Sequence, residues 1–199
     1  SFVEIDFADP ANPVIEKLDF DFASCGYALC IVDTGGSHSD LTDEYAAVRK
    51  EMESVAEYLG KSVLREVDED EFMKNIADIR SSCGDRAVLR AMHFYGDNAR
   101  VEKQAAALKA GDFETFKKYI IESGRSSYMY NQNVYSCKKA SEQPVSLALS
   151  LSEKLLDGCG AWRVHGGGFA GTIQAFVPLN KLDEYKDLME KVFGSGSCY

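Results

Sequence analysis

The residues with the clearest chemical potential lie in Arg163-Val164-His165-Gly166-Gly167-Gly168-Phe169-Ala170-Gly171-Thr172-Ile173-Gln174-Ala175-Phe176-Val177-Pro178. This stretch reads as strand, glycine turn, strand. Each glycine costs backbone entropy, so its presence needs a reason. A turn that demands positive φ explains one or two of them. Gly166, Gly167, Gly168 and Gly171 together imply a backbone that closely approaches another object, with N–H groups aimed at it. A phosphate is the commonest such object. A tight hairpin with no ligand is the other reading. Tyr45 either packs in the core or offers its hydroxyl to a ligand. Asp33 ends an apolar strand and is either functional or a turn residue that accepts local N–H groups. His38 is a lone loop histidine with no second ligand at metal spacing, and it is given no metal role. The role of His165, beside the glycines, stays open.

The elements that must position these groups follow from periodicity. Residues 2–7 and 14–22 alternate apolar and polar around Pro10 and Pro13, which suits a hairpin. Residues 27–32 form a continuous apolar run, as in a strand buried on both faces. Thr42 or Asp43 caps a helix running to Leu59, with Gly60 as its stop and Tyr45 in its first turn, beside the glycine loop. Residues 64–79 hold a second helix opened by Asp68-Glu69-Asp70-Glu71, residues 86–109 a long third one, and Asp112 caps a fourth bearing Phe113, Phe116 and Ile120. Residues 128–136 have no clean period and read as a polar-aromatic loop. Further helices span residues 142–156 and 180–193. The result is an α+β class, an antiparallel sheet packed against helices.

The 199 residues fit one domain, or one large domain with a small appendage, and 45% apolar with 27% charged residues is a globular composition. A net charge of −10 argues against nucleic-acid binding through the bulk field. The six cysteines form no C-x-x-C pair and read as free thiols in a reducing, cytoplasmic setting. No run is long and apolar enough to span a membrane. The chain starts in a strand without methionine, and its last residues read as a loop entering a strand that never arrives. A fragment is expected.

The glycine stretch resembles the third glycine-rich motif of galactokinases, in the GHMP-type superfamily that also holds homoserine, mevalonate and phosphomevalonate kinases. Other segments resemble the family in the same order: Asp33-Thr34-Gly35-Gly36-Ser37-His38, then Asp43-Glu44-Tyr45 and Arg49, then His93 with Asp97-Asn98-Ala99-Arg100-Val101, then Ala110-Gly111-Asp112-Phe113 and Glu122-Ser123. The likeness runs from about Ile5 to Phe193.

The resemblance implies transfer of the ATP γ-phosphoryl group, with Mg²⁺, to the C1 hydroxyl of galactose. It implies that Tyr45 contacts the sugar and that Gly166, Gly167, Gly168 and Gly171 support the nucleotide phosphates. The family's N-terminal half carries the sugar-binding Arg/Glu/His/Asp cluster, the main phosphate loop and the catalytic Asp, and none of these motifs occurs here. The expected division is therefore residues 1–25 as a hairpin left from the missing N-terminal half and residues 26–199 as the C-terminal domain. The fragment has no catalytic residue or metal ligand of its own, is inactive and ligand-free alone, and exposes a half-interface able to drive self-association. The chain departs from the family at Ala170, at Val164-His165, at Ser123-Gly124 and over residues 128–137. A galactokinase relative kept as a non-catalytic sugar sensor, and an unrelated α+β binding module, are the competing readings.

Overall fold

The alternation in the strand segments and the apolar faces of the helices build a sheet with helices on both sides. The computed structural model describes residues 2–36, 40–169 and 171–199. The strands are β1 (Phe2–Asp6), β2 (Val14–Leu18), β3 (Tyr27–Asp33), β4 (Ala161–His165) and β5 (Thr172–Pro178). The helices are α1 (Thr42–Tyr58), α2 (Glu69–Lys74), α3 (Ile76–Cys83), α4 (Asp85–Lys109), α5 (Phe113–Ser126), α6 (Pro144–Leu156) and α7 (Leu182–Phe193). The α+β expectation is met.

The main sheet has the order β3-β5-β4, antiparallel throughout. Its register sets Cys30 opposite Ala175 and Val32 opposite Ile173 on one side of β5, and Trp162 opposite Ala175 and Val164 opposite Ile173 on the other. That face is buried under α6 and α7, whose Val145, Ala148, Leu156, Tyr185 and Met189 complete the core. Residues one step along point the other way. Ala161 and Phe176 therefore meet Phe113, Phe116 and Ile120 of α5. β3 is corrected here: of its side chains only Cys30 and Val32 are buried, and Leu29 is exposed. On this face Tyr27 packs on Phe113 of α5 but Leu29 beyond it is exposed, so α5 covers only the start of β3 and the strand is fully buried on one face alone.

The segment 64–79 is also corrected. It is a short 3-10 turn (Leu64–Glu66) followed by two helices, α2 and α3. Val67 is extended, and the Asp68 carboxylate then accepts from the Asp70 N–H at 2.8 Å, which restarts the helix. At the far end, residues 197–199 do form strand pairing. Ile31 and Tyr199 exchange two backbone hydrogen bonds of 2.7 and 3.0 Å, and the Asp33 N–H donates to the Ser197 carbonyl at 2.8 Å. The expected loop without a strand thus ends in an isolated β-bridge, Cys198 opposite Val32, on the outer edge of β3.

The hairpin β1–β2 places Phe2 opposite Leu18 and Ile5 opposite Ile15. Phe2, Leu18, Phe20 and Phe22 pack on the α5 phenylalanines. Glu4 and Glu16 face each other across the strands, a repulsive pair relieved by Lys109 at 3.8 and 2.9 Å. The other hairpin face leaves Val3, Ile5 and Ile15 exposed.

A polar junction joins α4, α5 and β4. Buried His93 shares a 2.8 Å hydrogen bond between Nδ1 and Ser126 Oγ, with Nε2 at 3.7 Å from Asp97. Asp97 Oδ1 accepts from Ser123 Oγ at 2.7 Å and from Arg100 at 3.1 Å. Arg163 of β4 donates to the same Ser123 Oγ at 2.7 Å. Burial penalises the imidazolium, so the His93 pKa falls below its ordinary 6.5, even with Asp97 pulling the other way. The folded chain then binds fewer protons than the unfolded chain at and just below that pH. The His93 contribution is complete above about 6.5 and is lost as the pH falls through it. The thermal midpoint is expected to drop between about pH 7.5 and about pH 5.5, with a shallower slope in His93→Gln. Scanning calorimetry across that range checks it, and an unchanged slope in the variant assigns the pH dependence to other groups.

Candidate functional site

The glycine turn between β4 and β5 is held from three sides. Gly166 (φ 66°), Gly168 (φ 83°) and Phe169 (φ 58°) all adopt left-handed backbone angles. Glycine does this without strain and phenylalanine does not, so Phe169 is kept there by its surroundings. Its ring is buried beside Leu41 and meets the Tyr45 ring edge-on, with centroids 5.1 Å apart. The Phe169 N–H donates to the Asn133 carbonyl at 2.6 Å, and Asn133 Nδ2 donates to the Gly167 carbonyl at 3.4 Å. From β3, the Thr34 hydroxyl donates to the Gly171 carbonyl at 2.7 Å.

The glycines do approach other objects closely, and two of those objects belong to the protein. A Cβ on Gly167 would stand 2.8 Å from Cε1 of Tyr45, and one on Gly168 would stand 1.8 Å from the Asn133 carbonyl oxygen. The Tyr45 hydroxyl donates to the Gly168 carbonyl at 2.8 Å. At the tip, Gly166 and Gly167 are exposed, and the space around a Cβ on Gly166 is open. Tyr45 is therefore brought against Gly167 and Gly168, while Gly171 is held by Thr34 and Gly166 faces open space.

The segment that carries Asn133, an expected loop, is partly helical. Ser127–Asn131 forms a π-helical turn, ended by Gln132 in the left-handed region (φ 53°). Arg90, fully buried on α4, anchors it. Its Nε donates to the Asn131 carbonyl at 2.9 Å, its Nη2 to the Gln132 carbonyl at 3.4 Å, and its Nη1 to Glu51. Burial lowers the Arg90 pKa and the Glu51 carboxylate opposes this, so the pair holds the charge in place. Beyond it, Ser136 donates to the buried Glu44 carboxylate at 2.8 Å, next to Tyr45 on α1. A cleft of about 570 Å³ beside the turn is lined by Thr34, Gly35, Leu41, Lys139, Gln143 and Phe169.

The remaining sequence candidates are more local. Asp33 accepts from the Gly35 N–H at 2.9 Å, an Asx-type turn at the strand end. His165 is exposed and shares a 3.1 Å hydrogen bond with Gln174 of β5. His38 and Ala170 lie outside the described residues. Gly124 has a packing reason: a Cβ there would stand 2.8 Å from Cβ of Arg163, so no larger side chain fits against β4. Among the described residues no group of three or more His, Cys, Asp or Glu could hold a metal ion. Also among them, no helix is long and apolar enough to cross a membrane.

No family model matches the chain. Single proteins do. The galactokinase of Actinobacillus pleuropneumoniae serotype 5b is 26% identical over 164 residues, 82% of this chain and 41% of that protein. The human galactokinase is 35% identical over 144 residues, 72% of this chain and 34% of that protein. That of Thermosipho africanus is 29% identical over 182 residues, 89% of this chain and 47% of that protein. The chain is galactokinase-like. It spans less than half the length of each of these relatives. Lactococcus lactis galactokinase, solved in complex with galactose, superposes with a TM-score of 0.65 at 20% identity, over 92% of this chain and 44% of that one. The galactokinase-like chain accordingly has the fold of the C-terminal domain of GHMP-type kinases.

Sequence reasoning missed Asn133, Thr34 and Arg90. The amide-rich Asn131-Gln132-Asn133 was the available signal, since such residues tolerate left-handed backbone. Two substitutions separate the packed from the open side of the turn. Gly166→Ala meets only the positive-φ cost, about 1 kcal/mol. Gly168→Ala adds a clash with the Asn133 carbonyl and is expected to cost at least twice as much, about 2–3 kcal/mol. Tyr45→Phe deletes the hydrogen bond to the Gly168 carbonyl, a loss expected to cost about 1 kcal/mol. Chemical denaturation of the three variants checks the order.

Proposed function

We propose that this chain is the C-terminal part of a cytosolic galactokinase-type sugar kinase, with residues 1–25 belonging to the sheet of the N-terminal half and residues 26–199 forming the domain proper. In that reading the Tyr45 hydroxyl contacts the sugar. Gly166, Gly167, Gly168 and Gly171 lie against the main phosphate loop of the other half and support the ATP phosphates. The observation that carries it is the 2.8 Å contact between the Tyr45 hydroxyl and the Gly168 carbonyl. Phosphoryl transfer requires the accepting hydroxyl and the nucleotide phosphates to be neighbours, and a residue for each stands on the two sides of this contact.

Galactose is the sugar proposed, on the strength of the galactokinase relatives and the galactose-bound neighbour. ATP supplies the phosphoryl group and Mg²⁺ neutralises its charge when bound. The described residues offer no cluster of metal ligands, and the catalytic Asp motif is not in this sequence, so both roles are assigned to the missing half. The exposed Val3, Ile5 and Ile15 face of the hairpin suits an interface with that half, and the isolated chain would self-associate through it. Departures at Val164-His165 and over residues 128–137 lie close to the turn and keep a second reading in view: a sugar sensor without catalysis.

A coupled phosphorylation assay of the full-length protein over a panel of hexoses tests this. Galactose-dependent ATP turnover is expected, with a KM for galactose raised several-fold in Tyr45→Phe, and no turnover from residues 1–199 alone. Galactose binding without turnover would replace the kinase with the sensor. Neither binding nor turnover would overturn both.

A further inference from the structure

Another cavity, of about 280 Å³, is walled by Glu44 of α1, Arg86 of α4 and Tyr128, Met129, Gln132 and Tyr135 of the segment between α5 and α6. Neither Tyr45 nor any of the four glycines lines it. Its size is at the small end of ligand pockets, roughly 300–1,000 Å³, and suits a single ring. The backbone along one wall is unusual. Ser127–Asn131 is a π-helical turn, and Gln132, which ends it, holds a left-handed backbone without being glycine (φ 53°). Such features persist where the surroundings hold them, and they cluster at ligand sites. Across this turn the Tyr128 and Tyr135 rings lie 6.4 Å apart and 55° to each other, two aromatic walls at an open angle.

From α1, Glu44 brings a buried carboxylate. An ionised carboxylate has two acceptor oxygens with about four lone-pair positions. Among the described residues Glu44 accepts one hydrogen bond, from Ser136 at 2.8 Å. Unused acceptor positions on a buried carboxylate are costly, and O–H donors of a ligand satisfy them. Charge then selects the ligand class. Arg86 Nε donates to both oxygens of Glu51, at 2.8 and 3.1 Å, and Arg90 donates to the same carboxylate. With Glu44, two guanidiniums stand against two carboxylates, so the neighbourhood carries no net charge. An anion is repelled by Glu44 and a cation by Arg86. A wholly apolar ligand leaves the Glu44 carboxylate unmatched. A neutral ring bearing several hydroxyls suits each wall. Its O–H groups donate to Glu44, its oxygens accept from Arg86 or the Gln132 amide, and its C–H bonds lie against the negative faces of the tyrosine rings.

We propose that the cavity between Glu44, Arg86 and the Tyr128 and Tyr135 rings binds a neutral polyol of monosaccharide size, with the Glu44 carboxylate accepting from its hydroxyls and the tyrosine rings packing on its C–H face. Gln132 lines the cavity, and Asn133, the next residue, holds the glycine turn. The occupant therefore abuts the segment that seats the turn.

The test is methyl NMR of the full-length protein with isotope-labelled methionine, titrated with D-glucose and with D-galactose. Met129 lines this cavity, and Met52 lines a different groove together with Tyr45, so two methyls report on two places. The Met129 resonance, identified by its loss in Met129→Leu, is expected to shift and to saturate at about 1–10 mM of at least one of the two sugars. Glu44→Gln is expected to weaken that response about tenfold or more. Tyr128→Ala, at an exposed position, weakens it severalfold and keeps the test standing should Glu44→Gln fail to fold. Both effects are read at Met129 whether or not Met52 responds, so a failure of the Tyr45 reading is told apart from a failure of this one. A Met129 resonance that stays in place up to about 50 mM of both sugars, that moves with inorganic phosphate instead, or that responds equally in the wild type and both variants would overturn the proposal.

Discussion

The wedge between the Tyr45 ring and the Asn133 carbonyl is the constraint on which the candidate site depends. A backbone without Cβ atoms is the only thing that fits there, because side chains at 167 and 168 would collide with the ring and with the carbonyl. Once the turn is seated, hydrogen bonds fix it: from Tyr45 to Gly168, from Phe169 to Asn133, from Asn133 to Gly167 and from Thr34 to Gly171. They come from α1, from residues 127–137 and from the end of β3. The turn is therefore a meeting point of distant segments, and its tip is held out by contacts on its inner side.

That arrangement needs rigid supports, and two polar devices supply them. Arg90 and Glu51 hold the carbonyls of Asn131 and Gln132, which aims Asn133 at the turn. The His93, Asp97, Ser123 and Arg163 network ties β4 to α4 and α5 directly behind it. Both bury charge, which is costly unless every donor is matched. Here Arg90 meets Glu51 and Arg163 meets Ser123 Oγ, and among the described residues the buried side-chain oxygens left without partners are those of Asn131, Asn133 and Ser197. The first two sit in the segment that meets the turn.

Much of this was legible in the sequence, for local reasons. The alternation of residues 2–7 and 14–22, the glycine turn between apolar runs and the capped helix holding Tyr45 are short-range signals, and they gave the α+β layering and the order of elements. The motifs shared with galactokinases extended that to the family fold. What stayed hidden depends on contacts across the chain. A continuous apolar run does not tell whether a helix covers one face of β3 or both. The break at 67–68 turns on one extended residue and one cap. The pairing of residues 197–199 with β3 has no local periodicity to betray it. Most of all, the glycine-rich turn announces a close approach but not the partner, and here two of the four glycines owe their identity to Tyr45 and Asn133.

In the proposed reading, sugar and phosphates meet on the two sides of the contact between Tyr45 and the glycine turn. A crystal structure of the full-length protein with galactose and a non-hydrolysable ATP analogue tests it most directly. A sugar hydroxyl is expected within hydrogen-bonding distance of the Tyr45 oxygen, and the nucleotide phosphates alongside Gly166, Gly167 and Gly168. Galactose bound away from Tyr45, or phosphates with no contact to the turn, would contradict it.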